Sequence, residues 1–173
     1  MQFEGKHVVV TGAGRGIGAA LATEFHRRGA RVVLADLAGA EETAAALGDR
    51  AAGLVADVST EEGNRLLVEA AREIFGPIDL FFANAGVGTG RDLAETSEAE
   101  WDLAFDVNVH AHRWAAKYLV PEWLERGEGY FCSTASAAGL LLQIGSGPYS
   151  LTKRAAVAFA EWMSVTYGDR GIS

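Results

Sequence analysis

Five short apolar stretches punctuate the chain, and the segments between them carry apolar residues at helical spacing. Val8, Val9 and Val10 are β-branched and continuously apolar, the pattern of a strand covered on both faces. A glycine-rich turn over 12–18 follows. Helix formers from Ala19 to Arg28, with Leu21 and Phe25 four apart, then predict a helix that stops at Gly29. Residues 31–35 predict a second strand, 40–47 a short helix ending at Gly48, and 52–58 a third strand. Ser59, followed by Thr60, Glu61 and Glu62, suits the start of a helix that runs to Phe75 and stops at Gly76-Pro77. A fourth strand is expected over 79–83, one long helix or a helix pair over 98–124, and a fifth strand over 129–133. The last helix begins near Pro148, a residue suited to a first turn, and runs to Tyr167.

Strand and helix alternate throughout. That order predicts an α/β fold, a doubly wound parallel sheet with helices on both faces, in one domain spanning 1–173. The length of 173 residues suffices for a core without a disulfide or metal staple. An apolar share of 49% excludes disorder as the main state. Fifteen Lys and Arg against 23 Asp and Glu leave a net charge of −8, which argues against a nucleic-acid partner. The single cysteine fits a reducing compartment. The N-terminus carries no basic-then-apolar signal, and no apolar run is long enough to span a bilayer. A cytoplasmic protein without a membrane contact is therefore expected.

Gly12, Gly14, Arg15, Gly16, Ile17 and Gly18 follow the first strand and open the first helix, the context in which a glycine loop cradles a pyrophosphate. Gly12 serves the tight turn, Gly16 the approach of phosphate to backbone, and Gly18 the packing of helix on strand. The helix N-terminus adds free N–H groups and the positive dipole end. Asp36 closes the second strand, placed to accept from the adenosine ribose hydroxyls and to repel a 2′-phosphate. Arg15 pulls the other way, since a guanidinium could pair with that phosphate. The nearby carboxylate is expected to prevail, so NAD is expected over NADP.

Tyr149 and Lys153 lie four apart on the last helix and share a face. A lysine ammonium beside a phenol favours the phenolate, so the pair can act as a general acid/base on an alcohol or ketone. Ser136 lies thirteen residues earlier, just past the fifth strand, at the end of the sheet where ligands bind.

With these motifs in order, the chain resembles the classical short-chain dehydrogenases/reductases, which have the Rossmann fold. The resemblance rests on Thr11-Gly-x-Gly-x-Gly-Ile-Gly18, Asp57, Asn84-Ala-Gly86, Asn108, Ser136 and Tyr149-x-x-x-Lys153. It implies a hydride transfer between NAD(H) and a secondary alcohol or ketone, with Tyr149 as acid/base and Lys153 holding the nicotinamide ribose. It further implies that Ser136 bonds the substrate oxygen and Asn108 anchors a water of the proton relay. Asp57 would contact adenine, and Asn84, Ala85 and Gly86 would lie along the cofactor. Leu37 and Val58, beside Asp36 and Asp57, belong to the same cofactor-binding set. The resemblance also implies a homodimer or homotetramer. Family members normally continue past the last helix with a sixth strand, a substrate lid and a seventh strand. This chain stops at Ser173, so the fold is expected to be incomplete at its C-terminal end, with an uncovered edge at the fifth strand. A dinucleotide-binding module without turnover is the alternative. An epimerase or dehydratase on a nucleotide sugar is disfavoured by the loop spacing.

His110 and His112 are two apart and share no helical face. They are expected as exposed or half-buried helix residues, and no metal site is expected. Cys132 is expected to pack as a small hydrophobe. Trp101, Trp114, Trp123 and Trp162 serve either the core or a subunit interface. Leu140, Leu141 and Leu142 line either an apolar substrate pocket or the core.

Overall fold

The computed structural model describes residues 2–173. Five strands form one sheet: β1 (His7–Thr11), β2 (Arg31–Asp36), β3 (Ala51–Val55), β4 (Leu80–Ala83) and β5 (Tyr130–Ser133). All neighbours are parallel, in the order β3-β2-β1-β4-β5. The connecting helices are α1 (Gly16–Arg27), α2 (Ala40–Leu47), α3 (Glu61–Phe75), α4 (Glu98–Phe105), α5 (Ala111–Arg126), α6 (Ala138–Leu141) and α7 (Gly147–Tyr167).

The valine run of β1 has a direct physical reading. Successive side chains point to opposite faces, so an apolar run demands cover on both sides. Val8 and Val10 pack with Val32, Leu34 and Ala22 under α1 and α2. Val9 packs with Leu67, Ala115, Leu119 and Met163 under α3, α5 and α7. All three valines are fully buried. Thr60 caps α3 by accepting from the Gly63 N–H at 3.0 Å. Ser97 and Glu100 form a reciprocal capping box on α4.

Several boundaries differ from the sequence expectation, each for a local reason. β3 ends at Val55 rather than residue 58, because Asp57 turns the chain by accepting from the Ser59 N–H and hydroxyl. The helical run over 98–124 is two helices joined by a π turn over Asp106–His110, and it continues to Arg126. α6 has no counterpart in the sequence reading. Leu140, Leu141 and Leu142 are exposed around it, so they are not core. The outer edge of β5 is not bare. The Phe131 N–H donates to the Ser173 carbonyl at 2.8 Å, and the Ser173 N–H to the Gly129 carbonyl at 3.0 Å.

His112 corrects the histidine expectation, being 1% exposed between the rings of Phe131 and Phe159. Both its ring nitrogens lack partners among the described residues, and burial holds its pKa down at about 4. The tryptophans divide. Trp123 is wholly buried and donates to the Ile78 carbonyl at 2.7 Å, whereas Trp162 is half exposed. Cys132 is half-buried on β5, and burial raises its thiol pKa. No helix among the described residues is long and apolar enough to cross a membrane.

Candidate active site

A cleft of about 1130 Å³ opens along the C-terminal ends of the strands, where α1 crosses from β1. Position follows from the sheet order. β1 sits centrally, with the chain winding to β2 on one side and to β4 on the other, so the loops after β1 and β4 part and leave a crevice. Gly12, Arg15, Gly16, Ile17 and Gly18 line one wall. No side chain caps the N-terminus of α1, and its first turn holds no acidic residue. Its first N–H groups are therefore open to an anion in the cleft. Gly16 has φ +58° and nothing within 4 Å of where a Cβ would stand, so its backbone faces open space. A Cβ at Gly18 would collide with the Gly12 carbonyl oxygen, which explains the glycine by close packing.

Gly14 does not line the cleft. Its N–H donates to Asp36 Oδ2 at 2.9 Å, and the Leu37 N–H donates to Asp36 Oδ1 at 2.7 Å. Both oxygens of Asp36 are thus held by backbone at the cleft rim, beside the exposed Leu37. Asp57 and Val58 line the wall farther along.

The segment after β4 forms the floor. The Asn84 side chain donates to the carbonyls of Thr11 at 2.9 Å and Gly12 at 3.2 Å, and accepts from the Thr134 hydroxyl at 2.8 Å. The N–H groups of Asn84 and Ala85 both donate to Thr11 Oγ1 at 3.0 Å. Asn84 therefore clamps the ends of β1, β4 and β5 together. Gly86 stands where a Cβ would come within 3.1 Å of Lys153 Nζ and 3.2 Å of Asn108 Oδ1.

Tyr149 and Lys153 reach the cleft from α7, one turn apart. Lys153 Nζ lies 5.8 Å from the Tyr149 ring centroid and donates to the Thr134 carbonyl at 2.9 Å. Lys153 is 2% exposed with no carboxylate within ion-pair distance among the described residues, and burial pushes its ammonium pKa down. Asn108 lies in the π turn, wholly buried. Its Oδ1 accepts from the Val87 N–H at 2.9 Å, and its Nδ2 donates to the Val87 carbonyl at 2.9 Å and Thr152 Oγ1 at 3.0 Å. Ser136 stands apart. Half-buried, it does not line the cleft, and its Oγ accepts from the Ala138 N–H at 3.1 Å.

The structure thus gathers the glycine loop, Asp36, Asp57, residues 84–86, Tyr149 and Lys153 around one cleft. Thr134 and Thr152, which hold Lys153 and Asn108, were not singled out from sequence. Both lie within a few residues of the motif positions, but a hydroxyl there carries no distinctive spacing. No group of three or more potential metal ligands occurs among the described residues.

A family model described as short chain dehydrogenase matches residues 6–173. An uncharacterized oxidoreductase of Thermotoga maritima is 34% identical over 177 residues, covering 99% of this chain and 70% of that protein. Retinol dehydrogenase 10-B of Danio rerio is 34% identical over 186 residues, covering 93% of this chain and 55% of that protein. The crystal structure of 3-ketoacyl-(acyl-carrier-protein) reductase from Brucella melitensis complexed with NADH superposes with a TM-score of 0.94 at 32% identity. It covers 98% of this chain and 73% of that one. The chain therefore spans between about half and three quarters of the length of these relatives.

Proposed function

The chain belongs to the short-chain dehydrogenase family, and from that premise we propose that it transfers a hydride between NAD(H) and a secondary alcohol or ketone, with Tyr149 as the acid/base. The observation that carries this reading is the meeting of Tyr149 and a buried, carboxylate-free Lys153 in the same cleft as the uncapped N-terminus of α1.

The cleft residues fit a dinucleotide. The diphosphate belongs at the first turn of α1, over Gly16, where open backbone and free N–H groups coincide. The adenosine ribose belongs at Asp36, whose fixed carboxylate accepts from hydroxyls and repels a 2′-phosphate, so NAD is preferred over NADP. Asp57 and Val58 extend that wall toward adenine, and Asn84, Ala85 and Gly86 underlie the nicotinamide end. The bound cofactor supplies the hydride acceptor or donor.

The residues of the chain handle the proton. In the reducing direction the Tyr149 hydroxyl donates its proton to the developing alkoxide, and in the oxidising direction the phenolate takes it from the alcohol. Lys153 keeps a positive charge beside the ring and offers donors to the nicotinamide ribose. Both Nδ2 protons of Asn108 are used by Val87 and Thr152, so a relay water at this position donates to an Asn108 oxygen rather than accepting from its amide. Ser136 serves the substrate oxygen once its hydroxyl turns from the Ala138 N–H toward the cleft. We further propose that residues 1–173 act as one dinucleotide-binding domain in the cytoplasm, and that the protein is a homodimer or homotetramer.

The test has two parts. Titration by nicotinamide fluorescence is expected to give saturable NADH binding stronger than NADPH, and Asp36→Ala is expected to narrow the gap. An unchanged NADPH affinity in that variant refutes the role of Asp36. Tyr149→Phe is expected to lower kcat on a secondary alcohol by about 10²–10⁴-fold, the usual worth of a positioned acid/base, with NADH affinity unchanged. Retained turnover refutes the acid/base assignment. NADH binding without turnover in the parent chain supports the alternative of a binding module.

A further inference from the structure

Of the 15 Lys and Arg side chains, thirteen donate to a protein acceptor, whether a carboxylate, a carbonyl or a ring nitrogen. The two without an acceptor among the described residues are Arg15 and Arg91. Arg15 lines the cleft assigned above to a diphosphate. Arg91 lines a second cavity of about 350 Å³.

That cavity adjoins the first. Gln143, Gly145 and Ser146 border both. The partition between them is this short stretch, fastened by the Ser146 hydroxyl donating to the Thr89 carbonyl at 2.8 Å and the Gln143 N–H donating to Ser150 Oγ at 2.8 Å. Helix α7 serves both spaces on adjacent faces. Tyr149 and Lys153 look into the cleft, and Pro148 and Leu151, three apart, look into the second cavity. Its other walls are Leu93, Thr96, Trp101 and Gly147, so a largely apolar lining carries one guanidinium. Asp92 also borders it, with one carboxylate oxygen taken by the Ala94 N–H at 3.1 Å.

We propose that this cavity is the distal substrate subsite, taking the apolar stem and terminal carboxylate of a keto acid or hydroxy acid whose reacting carbon lies at Tyr149. The inference rests on the reading of the cleft given above. Charge decides the class: a largely apolar lining with a guanidinium that donates to no acceptor among the described residues, and that the carboxylates of Asp92 and Glu100 only partly offset, favours a single negative charge on an aliphatic or aromatic stem. Asp92 limits that charge, setting a monoanionic carboxylate above a dianionic phosphate.

The test compares NADH-dependent reduction of a medium-chain keto acid, its ketone remote from the carboxylate, with the methyl ketone of the same chain length. The keto acid is expected to show a kcat/KM higher on the order of tenfold, the worth of one charged hydrogen bond. Arg91→Gln is expected to erase the ratio, and Arg91→Lys to restore part of it. Equal kcat/KM in the parent chain, or a ratio that survives Arg91→Gln, overturns the proposal. A second arm needs no turnover: decanoate is titrated into the NADH-mixed protein by calorimetry. If neither ketone reacts, decanoate binding that is lost in Arg91→Gln upholds the subsite while the oxidoreductase reading fails. Absence of decanoate binding together with absence of a keto-acid preference overturns the subsite while leaving reduction of neutral ketones intact.

Discussion

Replacing Asn108 by alanine tests whether the π turn is held by that one side chain. Three hydrogen bonds at 2.9–3.0 Å disappear, and the Val87 N–H, the Val87 carbonyl and the Thr152 hydroxyl lose a partner. Thr152 is the least affected, because its hydroxyl still donates to the Pro148 carbonyl at 2.8 Å. The cost therefore falls mainly on the two backbone groups of Val87, at about 1–1.5 kcal/mol each given their partial access to water. Adding a small cavity term gives a loss of about 3 kcal/mol. For a chain of this length that corresponds to a fall in Tm of about 6–12 °C. Thermal unfolding by circular dichroism, with matched scans of the parent, reads it directly. A Tm within about a degree of the parent would mean that the π turn is set by the helix packing and not by the amide. Activity adds a second readout, since the loop after β4 carries Gly86 beside Lys153. Loss of turnover larger than the loss of NADH affinity is expected.

The remaining predictions concern stability. His112 binds no proton in the folded chain until about pH 4, whereas an unfolded histidine takes one near 6.5. Its contribution is therefore complete above 6.5 and is lost as pH falls toward 4, by up to about 3 kcal/mol. His7, whose pKa burial also lowers, acts in the same direction. His112→Phe keeps an aromatic ring between Phe131 and Phe159, removes two unpartnered nitrogens, and is expected to raise Tm and flatten its decline between pH 7 and pH 5. An unchanged slope across that range refutes the assignment. Leu142 is the one non-glycine residue with positive φ among the described residues, at 62°, and its side chain is exposed. Leu142→Gly is expected to stabilise by about 1 kcal/mol through relief of backbone strain, measured by urea unfolding, and a destabilised variant counts against that strain.

Much of the sheet and of the cleft could be read from local pattern. A strand buried on both faces must be apolar throughout, so the run 8–10 was unambiguous, and glycines at 12, 16 and 18 carry a steric reason visible in their spacing. What stayed hidden depends on neighbours distant in sequence. The π turn has no periodic signature of its own, and the bonds Asn108 makes within it reach residues 87 and 152, far off in sequence. His112 looked like a surface residue because histidine is polar, and only the packing of α5 against β5 and α7 shows it enclosed. The leucines at 140–142 carry the apolarity of a core segment, yet the four-residue helix α6 lays its buried Gly139 against α7 and leaves the leucines exposed. The pairing of Ser173 with β5 has no sequence signal, because three residues are too few for a pattern.

The sheet order also bears on how the molecule breathes. Amide hydrogens exchange through local opening, and a strand with partners on both edges and no exposed side chain opens last. β1 meets that description fully, and its neighbours β2 and β4 have partners on both sides. The glycine loop hangs from β1, Asp36 from β2, and Asn84 from β4. The peripheral β3 is half-exposed and is expected to exchange first. Fraying at that margin would unseat Asp57 well before it disturbed the Asn84 clamp, so the Asp57 side is the soft end of the cleft and the Asn84 side the hard one.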